Sequence, residues 1–320
     1  MHEEATSFDL PTTQAGCGAL QRDGAKALES NVFDTALIFE GGGFRAAYTA
    51  GMANVLLERG IYFNSVYGLS AGASHSVDYL SRDQNRVRRA FVDLAGDNHA
   101  GGFKALLQGE GYFNADYDYL GCVEDGFLPF DWETFATNPA QIRIQSFEAD
   151  TGRTVSFTRE SMDCFEHMMY CVRASSTLPL LMNPIKINGH LMFDGGLGVG
   201  AGLPTHLAEM DGFERFFFVA TRPAGYRKEA PSRSMRRIYQ RLGQRYPKLE
   251  EALLTRHLRY NAAMDHLESL ERDGRAFVVR PDTMPIKSTT LDVAALYQAY
   301  ELGHAQALRE LPRWEEFLFG

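Results

Sequence analysis

The first ordered signal in the chain is Thr35-Ala-Leu-Ile-Phe39, apolar after its threonine, with Gly41, Gly42 and Gly43 following after Glu40. A short continuous run of this kind reads as a strand buried on both faces. Behind the glycines, Phe44, Tyr48, Met52, Val55 and Leu56 recur at helical spacing until Gly60, which predicts a helix over 44–59. A second short strand at 65–67 runs into Gly68-Leu69-Ser70-Ala71-Gly72, with a helix expected over 73–80. Strand, helix, strand, helix at this spacing implies right-handed parallel crossovers and a sheet covered on both faces.

Further along, the segment 82–140 is less regular. It mixes Arg86, Arg88 and Arg89 with glycines and with Phe103, Tyr112, Phe113, Tyr117 and Tyr119, as a cap over one end of a sheet would. Alternation at 141–147 and 153–158 around Asp150-Thr151-Gly152 predicts a hairpin. A helix follows over 161–174. A second hairpin at 184–193 turns on Asn188-Gly189 and leads into Asp194-Gly195-Gly196. A buried strand is expected at 214–220, helices at 232–242 and 248–271, a last strand at 276–279, and a closing helix at 291–311. No internal repeat or low-complexity tract interrupts this order. Residues 1–31 are polar with no clear period and read as a loosely held tail. The organisation expected is therefore one α/β domain over 32–320, with a core at 35–221 and a helical elaboration at 222–320.

Composition narrows the class. The 320 residues are 45% hydrophobic and 23% charged, ordinary values for a globular chain long enough to bury a core without disulfide staples. Acids outnumber Lys and Arg by 41 to 32, a net charge of -9 that argues against nucleic-acid binding. The exception is 222–248, where nine Lys or Arg face one acid, Glu229. Such a stretch is either a solvated helix face or a surface that meets anionic lipid. Cys17, Cys122, Cys164 and Cys171 match no metal-binding spacing and read as reduced thiols, the last two on one helix. The start MHEEATSFDL lacks the basic and apolar regions of a signal peptide, and no run is long enough to span a bilayer. A soluble, cytoplasmic protein is expected.

The chemistry concentrates in three places. Gly68 to Gly72 fits G-x-S-x-G, in which flanking glycines let a serine sit at the tip of a tight strand-to-helix turn. Gly41, Gly42 and Gly43 offer bare N–H groups at a helix start, suited to an oxyanion or a phosphate. The loop lacks the G-K-[ST] of a P-loop. It does fit a dinucleotide fingerprint through Gly41, Gly43 and Ala46, but the second strand ends without the acid that fingerprint needs. Asp194-Gly195-Gly196 is by itself a common turn. A conventional esterase would need a late histidine base, and by order His257 or His304 would serve; both fall within expected helices, and His75 lies on the helix after Ser70.

Taken together these motifs resemble the patatin-like phospholipase family. Gly41-Gly42-Gly43-Phe44-Arg45 resembles its oxyanion loop and Gly68 to Gly72 its nucleophile elbow. Ala174 to Pro179 resembles its A-S-x-x-x-P segment, and Asp194-Gly195-Gly196 its catalytic D-G-[GA]. The likeness runs over about 35–200, with Ala46 standing where the family usually has Gly. It implies a three-layer fold with a mostly parallel central sheet, helices on both faces and helical cap elaborations. It also implies a Ser70–Asp194 dyad acting on a lipid ester, with Arg45 supporting the oxyanion or headgroup, and no cofactor or metal. A histidine-based esterase and a catalytically idle lipid-binding member of the same fold are the alternatives. Peripheral contact with a membrane would run through 222–248. Headgroup, chain length and oligomeric state are not written in these motifs.

Overall fold

The computed structural model describes residues 6–10, 28–101 and 112–320; Cys17, Phe103 and most of the expected tail lie outside the described residues. Among them, one sheet contains β1 Thr6–Phe8, β2 Thr35–Phe39, β3 Ser65–Leu69, β4 Gln141–Glu148, β5 Thr154–Thr158, β6 Ile185–Ile187, β7 His190–Asp194, β8 Arg215–Val219 and β9 Ala276–Val279. Its order is β1-β6-β7-β4-β3-β2-β8-β9, with β5 also paired to β4. Strands β4, β3, β2, β8 and β9 run parallel, while β5 and β7 run antiparallel to β4. The helices of six residues or more are α1 Ala46–Glu58, α2 Ala71–Leu80, α3 Gln84–Arg89, α4 Trp132–Thr137, α5 Phe165–Ser176, α6 Thr205–Met210, α7 Arg233–Gly243, α8 Pro247–Arg272 and α9 Val293–Phe319. This is the mixed α/β, three-layer arrangement that the motifs imply.

The continuous apolar runs are explained by two cores, one on each face of the sheet. Leu37 and Phe39 of β2 and Phe217 and Val219 of β8 face one core, which α1, α2, α5 and α9 cover. Ala36, Ile38, Phe216 and Phe218 face the other, closed by α6 and by Tyr260, Met264, Leu267 and Leu270 of α8. Each fully buried Phe of β8 contributes about 1.5–3 kcal/mol relative to exposure. Helix α1 carries no single stripe: every residue from Ala46 to Leu57 is buried, because sheet and helices enclose it all round. It crosses α9 closely enough that a Cβ on Gly51 would come within 2.4 Å of Tyr300 O, and one on Gly303 within 1.9 Å of Tyr48 O.

Three boundaries differ from expectation. Within the expected tail, Thr6–Phe8 pairs with β6, and Leu10 is buried with its N–H donated to Asn188 Oδ1 at 2.8 Å. Helix α9 continues through Pro312 to Phe319, because Trp314 and Leu318 dock on the core and packing outweighs the local cost of proline. Cys164 precedes α5 as its N-cap residue rather than sitting within it; Cys171 is buried, and both are free thiols. The C-terminal elaboration also includes a strand of the sheet, β9 on β8.

Candidate active site

Three strands set the site by sharing β4. Strand β3 lies along one edge of β4 and ends with Leu69 opposite Gln145. Strand β7 comes from the other direction and ends with Asp194 opposite Ser146. Strand β5 pairs across both stretches of β4, so it occupies the other edge, and β3 and β7 meet tip to tip. The residues at the two tips are Ser70 and Asp194. The junction is tight: a Cβ on Gly195 would lie 2.2 Å from Gln145 O and 3.1 Å from Leu69 Cβ.

Ser70 is the N-cap of α2, with φ 54° and ψ -130°. This conformation is unusual for a residue other than glycine and costs on the order of 1–3 kcal/mol. The flanking glycines make the turn possible. A Cβ on Gly68 would lie 2.2 Å from Gly72 O, and one on Gly72 would lie 2.3 Å from Phe39 O. The Ser70 N–H donates to Ser175 Oγ at 2.8 Å, and the Ser175 hydroxyl donates to Gln145 O at 2.6 Å. Two residues on, Thr177 O accepts the Asp194 N–H at 2.8 Å. The segment from Ala174 to Pro179 therefore ties both tips together. The motif marked this segment, but its residue types alone did not reveal that role.

Asp194 is 2% exposed. Its Oδ1 accepts the Gly196 N–H at 2.7 Å, while Oδ2 is buried without a hydrogen bond. Burial pushes this carboxyl above its ordinary range. The opposing influences are the positive charge of Arg256, the nearby Ser70 hydroxyl, the Gly196 N–H and Lys228, in that order. The hydroxyl thus faces the carboxylate without a closed hydrogen bond, as catalytic pairs without substrate often do.

The glycine loop lies against the elbow, since a Cβ on Gly41 would come within 3.2 Å of Ser70 Cβ. Its three N–H groups are not equivalent. Gly41 donates to Gly202 O at 3.3 Å, which takes it out of the expected trio. Among the described residues no acceptor takes the Gly42 or Gly43 N–H. Gly43 has φ +54°, where a Cβ would meet Ser288 O at 2.6 Å.

One side of Ser70 opens on a cavity of about 120 Å³ lined by Phe44, Phe91, Phe113, Tyr119, Met169 and Leu178, among others. Phe113 and Tyr119 come from the aromatic segment expected to act as a cap. The charged-type side chains in this lining are Asp78, paired to Arg86 at 2.8 Å, and Asp118, whose carboxyl burial pushes well up.

The other side of the loop is cationic. Arg45 is 9% exposed, its Nε has no partner, and burial together with Arg222 pushes its pKa down to about 10. Arg222 stacks on Tyr226, whose ring meets Tyr260 edge-on. Lys228 Nζ lies 4.8 Å from the centre of the Tyr260 ring. Arg256 Nη2 and Asp194 Oδ1 lie 2.5 and 2.7 Å from the point a Gly196 Cβ would occupy. The Tyr260 hydroxyl donates to Glu40 Oε1 at 2.7 Å. Sequence reading did not place Glu40, Arg256 or Tyr260 here. The available signal was the i, i+4 spacing of Arg256 and Tyr260 on α8. Arg222 and Lys228 belong to the basic stretch read as facing outward; the side chains of these two turn inward.

No described histidine is hydrogen-bonded to Ser70. His304 pairs with Glu58 at 2.9 Å. His75 is fully buried between Phe39 and Phe91, bonds Thr49 and Ala46 O, and has its pKa pushed down by burial to about 3. His257, on α8, is half-buried with Nδ1 unpartnered. The described residues include one cluster of metal-ligand type, Asp163, Cys164 and His167 at the start of α5, where Asp163 and His167 already pair at 2.5 Å.

An open α/β sheet with a serine on a strained strand-to-helix turn, backed by a glycine loop, defines the class of fold and site. The chain belongs to the patatin-like phospholipase family, whose model matches residues 37–208. Residues 246–319 match a second family model, described only as a domain of unknown function (DUF6363). No curated protein matches the chain. Among solved structures it is similar to VipD from Legionella pneumophila, at 14% identity and a TM-score of 0.48, over 88% of this chain and 67% of that one.

Proposed function

We propose that the protein is a serine lipid acyl hydrolase in which Ser70 is the nucleophile and Asp194 the general base. The observation that carries this reading is the buried, unpaired Asp194 Oδ2 beside the strained Ser70 at the mouth of a largely apolar cavity. An ordinary aspartate, with pKa about 3.9, is a weak base at neutral pH. Burial makes this one more basic, which favours proton acceptance.

In the first half-reaction Ser70 Oγ attacks the ester carbonyl carbon while its proton passes to Asp194 Oδ2. The carbonyl oxygen becomes an oxyanion and takes the free N–H groups of Gly42 and Gly43; one such donor is typically worth about 10²–10³ in rate. Collapse breaks the ester C–O bond, and the leaving alkoxide takes the proton from Asp194. Water then attacks the acyl-Ser70, giving its proton to Asp194, and the acid leaves as Ser70 recovers its own. The cavity lined by Phe44, Phe91 and Phe113 would hold the acyl chain.

For a lipid substrate the protein must reach a membrane or micelle. Among the described residues no helix is long and apolar enough to cross a membrane. Helix α7 exposes Arg233, Arg236, Arg237 and Arg241 around the exposed Ile238, which supports a surface that rests on anionic lipid.

The test is labelling by a fluorophosphonate probe alongside hydrolysis of p-nitrophenyl esters. Labelling should require Ser70, and Asp194→Asn should lower hydrolysis by about 10²–10⁴. A folded wild type that neither labels nor hydrolyses esters would overturn the reading. A histidine base would instead be exposed by loss of activity in His257→Ala or His304→Ala.

A further inference from the structure

The loop that follows Asp194 is poorly suited to hold its own shape. Five of the eight residues at 195–202 are glycine, and glycine loses more freedom on folding than any other residue. Apart from the short turn Gly195–Leu197, the loop has no helix or strand. Its carbonyls are taken largely from outside. Gln145 Nε2 donates to Gly195 O at 2.7 Å and to Val199 O at 2.9 Å. Three more are held by α8: Arg259 donates to Leu197 O at 2.6 Å and also to Gly198 O, and Arg256 Nε donates to Ala201 O at 3.4 Å.

The helix is fitted to this loop along one face. Leu249, Ala252, Arg256, Arg259 and Tyr260 share that face by their spacing. Leu249 and Ala252 pack in one cluster with Phe193 and Leu197, which flank the Asp194-Gly195-Gly196 turn. Tyr260 packs against Gly202, whose carbonyl accepts the Gly41 N–H. All five residues belong to the segment 246–319, which matches the family of unknown function rather than the patatin-like model.

Arg256 also brings a charge to the catalytic carboxyl. The point a Gly196 Cβ would occupy lies 2.5 Å from Arg256 Nη2 and 2.7 Å from Asp194 Oδ1. The two atoms are therefore within about 5 Å of each other, inside the range over which a positive charge favours a carboxylate. The guanidinium approaches on the Oδ1 side, where the Gly196 N–H already donates, and Oδ2 keeps no hydrogen bond. Among the influences that oppose burial at Asp194, Arg256 is the largest. Lys228 is the other cation acting there, but its own pKa is pushed down to about 7, so it loses charge over the range in which a base is needed. A guanidinium does not. The remaining groups that act on Asp194 are the Ser70 hydroxyl, the Gly196 N–H and the Tyr119 phenol, all uncharged at neutral pH.

We propose that α8 is part of the active site: Arg256 is a positioning residue that supplies a fixed positive charge beside Asp194 while leaving Oδ2 free for the Ser70 proton, and Arg259 holds the loop that follows. The proposal rests on the Ser70–Asp194 reading. It gives the C-terminal segment a role in the reaction without any contact with substrate.

The charge and the hold on the loop are separable in a pH profile. For full-length wild type, kcat/KM on a p-nitrophenyl ester should rise to a plateau as Asp194 ionises. Removing the positive charge disfavours the carboxylate, so Arg256→Gln should move the midpoint of that rise upward by about one pH unit. Arg256→Lys, which keeps the charge, should restore it. Arg259→Gln should lower the plateau by roughly tenfold through loss of positioning, with the midpoint unmoved. A midpoint unchanged in Arg256→Gln, or shifted equally by Arg256→Lys or Arg259→Gln, would overturn the proposal.

Thermal melts test the same contact without turnover. With Asp194 charged and its counter-charge gone, Asp194→Asn should raise the Tm at about pH 8 by more in an Arg256→Gln background than in wild type. Arg256→Gln that folds only together with Asp194→Asn would be the extreme form of that result. An equal gain in both backgrounds would overturn the proposal. Wild type that shows no Ser70-dependent hydrolysis would remove the reaction, while the melts would still decide whether Arg256 acts on Asp194.

Discussion

Ser175 holds Ser70 by the backbone: its Oγ accepts the Ser70 N–H at 2.8 Å and in turn donates to Gln145 O at 2.6 Å. The elbow, α5 and β4 are joined at that one hydroxyl. Ser70 keeps an unfavourable φ only while its surroundings hold it there.

Ser175→Ala would leave a buried N–H without its acceptor and a carbonyl without its donor. The expected outcome is a loss of about 1–3 kcal/mol in denaturant unfolding, the usual cost of an unsatisfied buried group. Fluorophosphonate labelling should slow by roughly tenfold, since a displacement of order 1 Å in a reacting group is enough for losses of that size or larger. Labelling at the wild-type rate in a destabilised variant would show that the hydroxyl matters for folding alone.

Asp194 couples stability to activity, and the sign follows from its raised pKa. Between the unfolded value, about 3.9, and the higher folded one, the native state binds more protons than the unfolded state. Stability is therefore lost as pH rises through that window. Asp194→Asn removes the titration while keeping an acceptor for the Gly196 N–H. Its Tm should exceed that of the wild type at about pH 8, and the difference should shrink as pH falls and the wild-type carboxyl takes up its proton. Parallel thermal melts of the two proteins across that range check this; a variant less stable at the upper end would contradict it.

Much of this site is written locally, and the rest is not. Gly68 to Gly72 needs only its own strand and helix to be recognised, and the three glycines after β2 likewise announce a close approach of backbone. The hairpin at Asn188-Gly189 is legible for the same reason, and both residues have positive φ as that turn requires. By contrast, the tip-to-tip meeting of β3 and β7 depends on which edge of β4 each strand takes, and no periodicity encodes that. The loss of the Gly41 N–H to Gly202 is a contact across 161 residues. The basic stretch was visible as composition, but whether each side chain turns inward depends on Tyr226 and Tyr260. Arg222 and Lys228 turn in; Arg227 pairs with Glu268 and Asp265, and the arginines of α7 stay in water. Proline at 312 predicted a helix end that burial of Trp314 overrode.

The outward arginines carry a separate prediction. Reversing charge at Arg236 and Arg237 should reduce co-sedimentation with vesicles of anionic lipid. At about 1 kcal/mol per basic residue near the surface, two lost cations correspond to roughly a thirtyfold change, and added glutamates make it larger. Hydrolysis of soluble p-nitrophenyl esters measures the catalytic site apart from membrane docking. Equal vesicle binding by variant and wild type would assign α7 a merely solvated face.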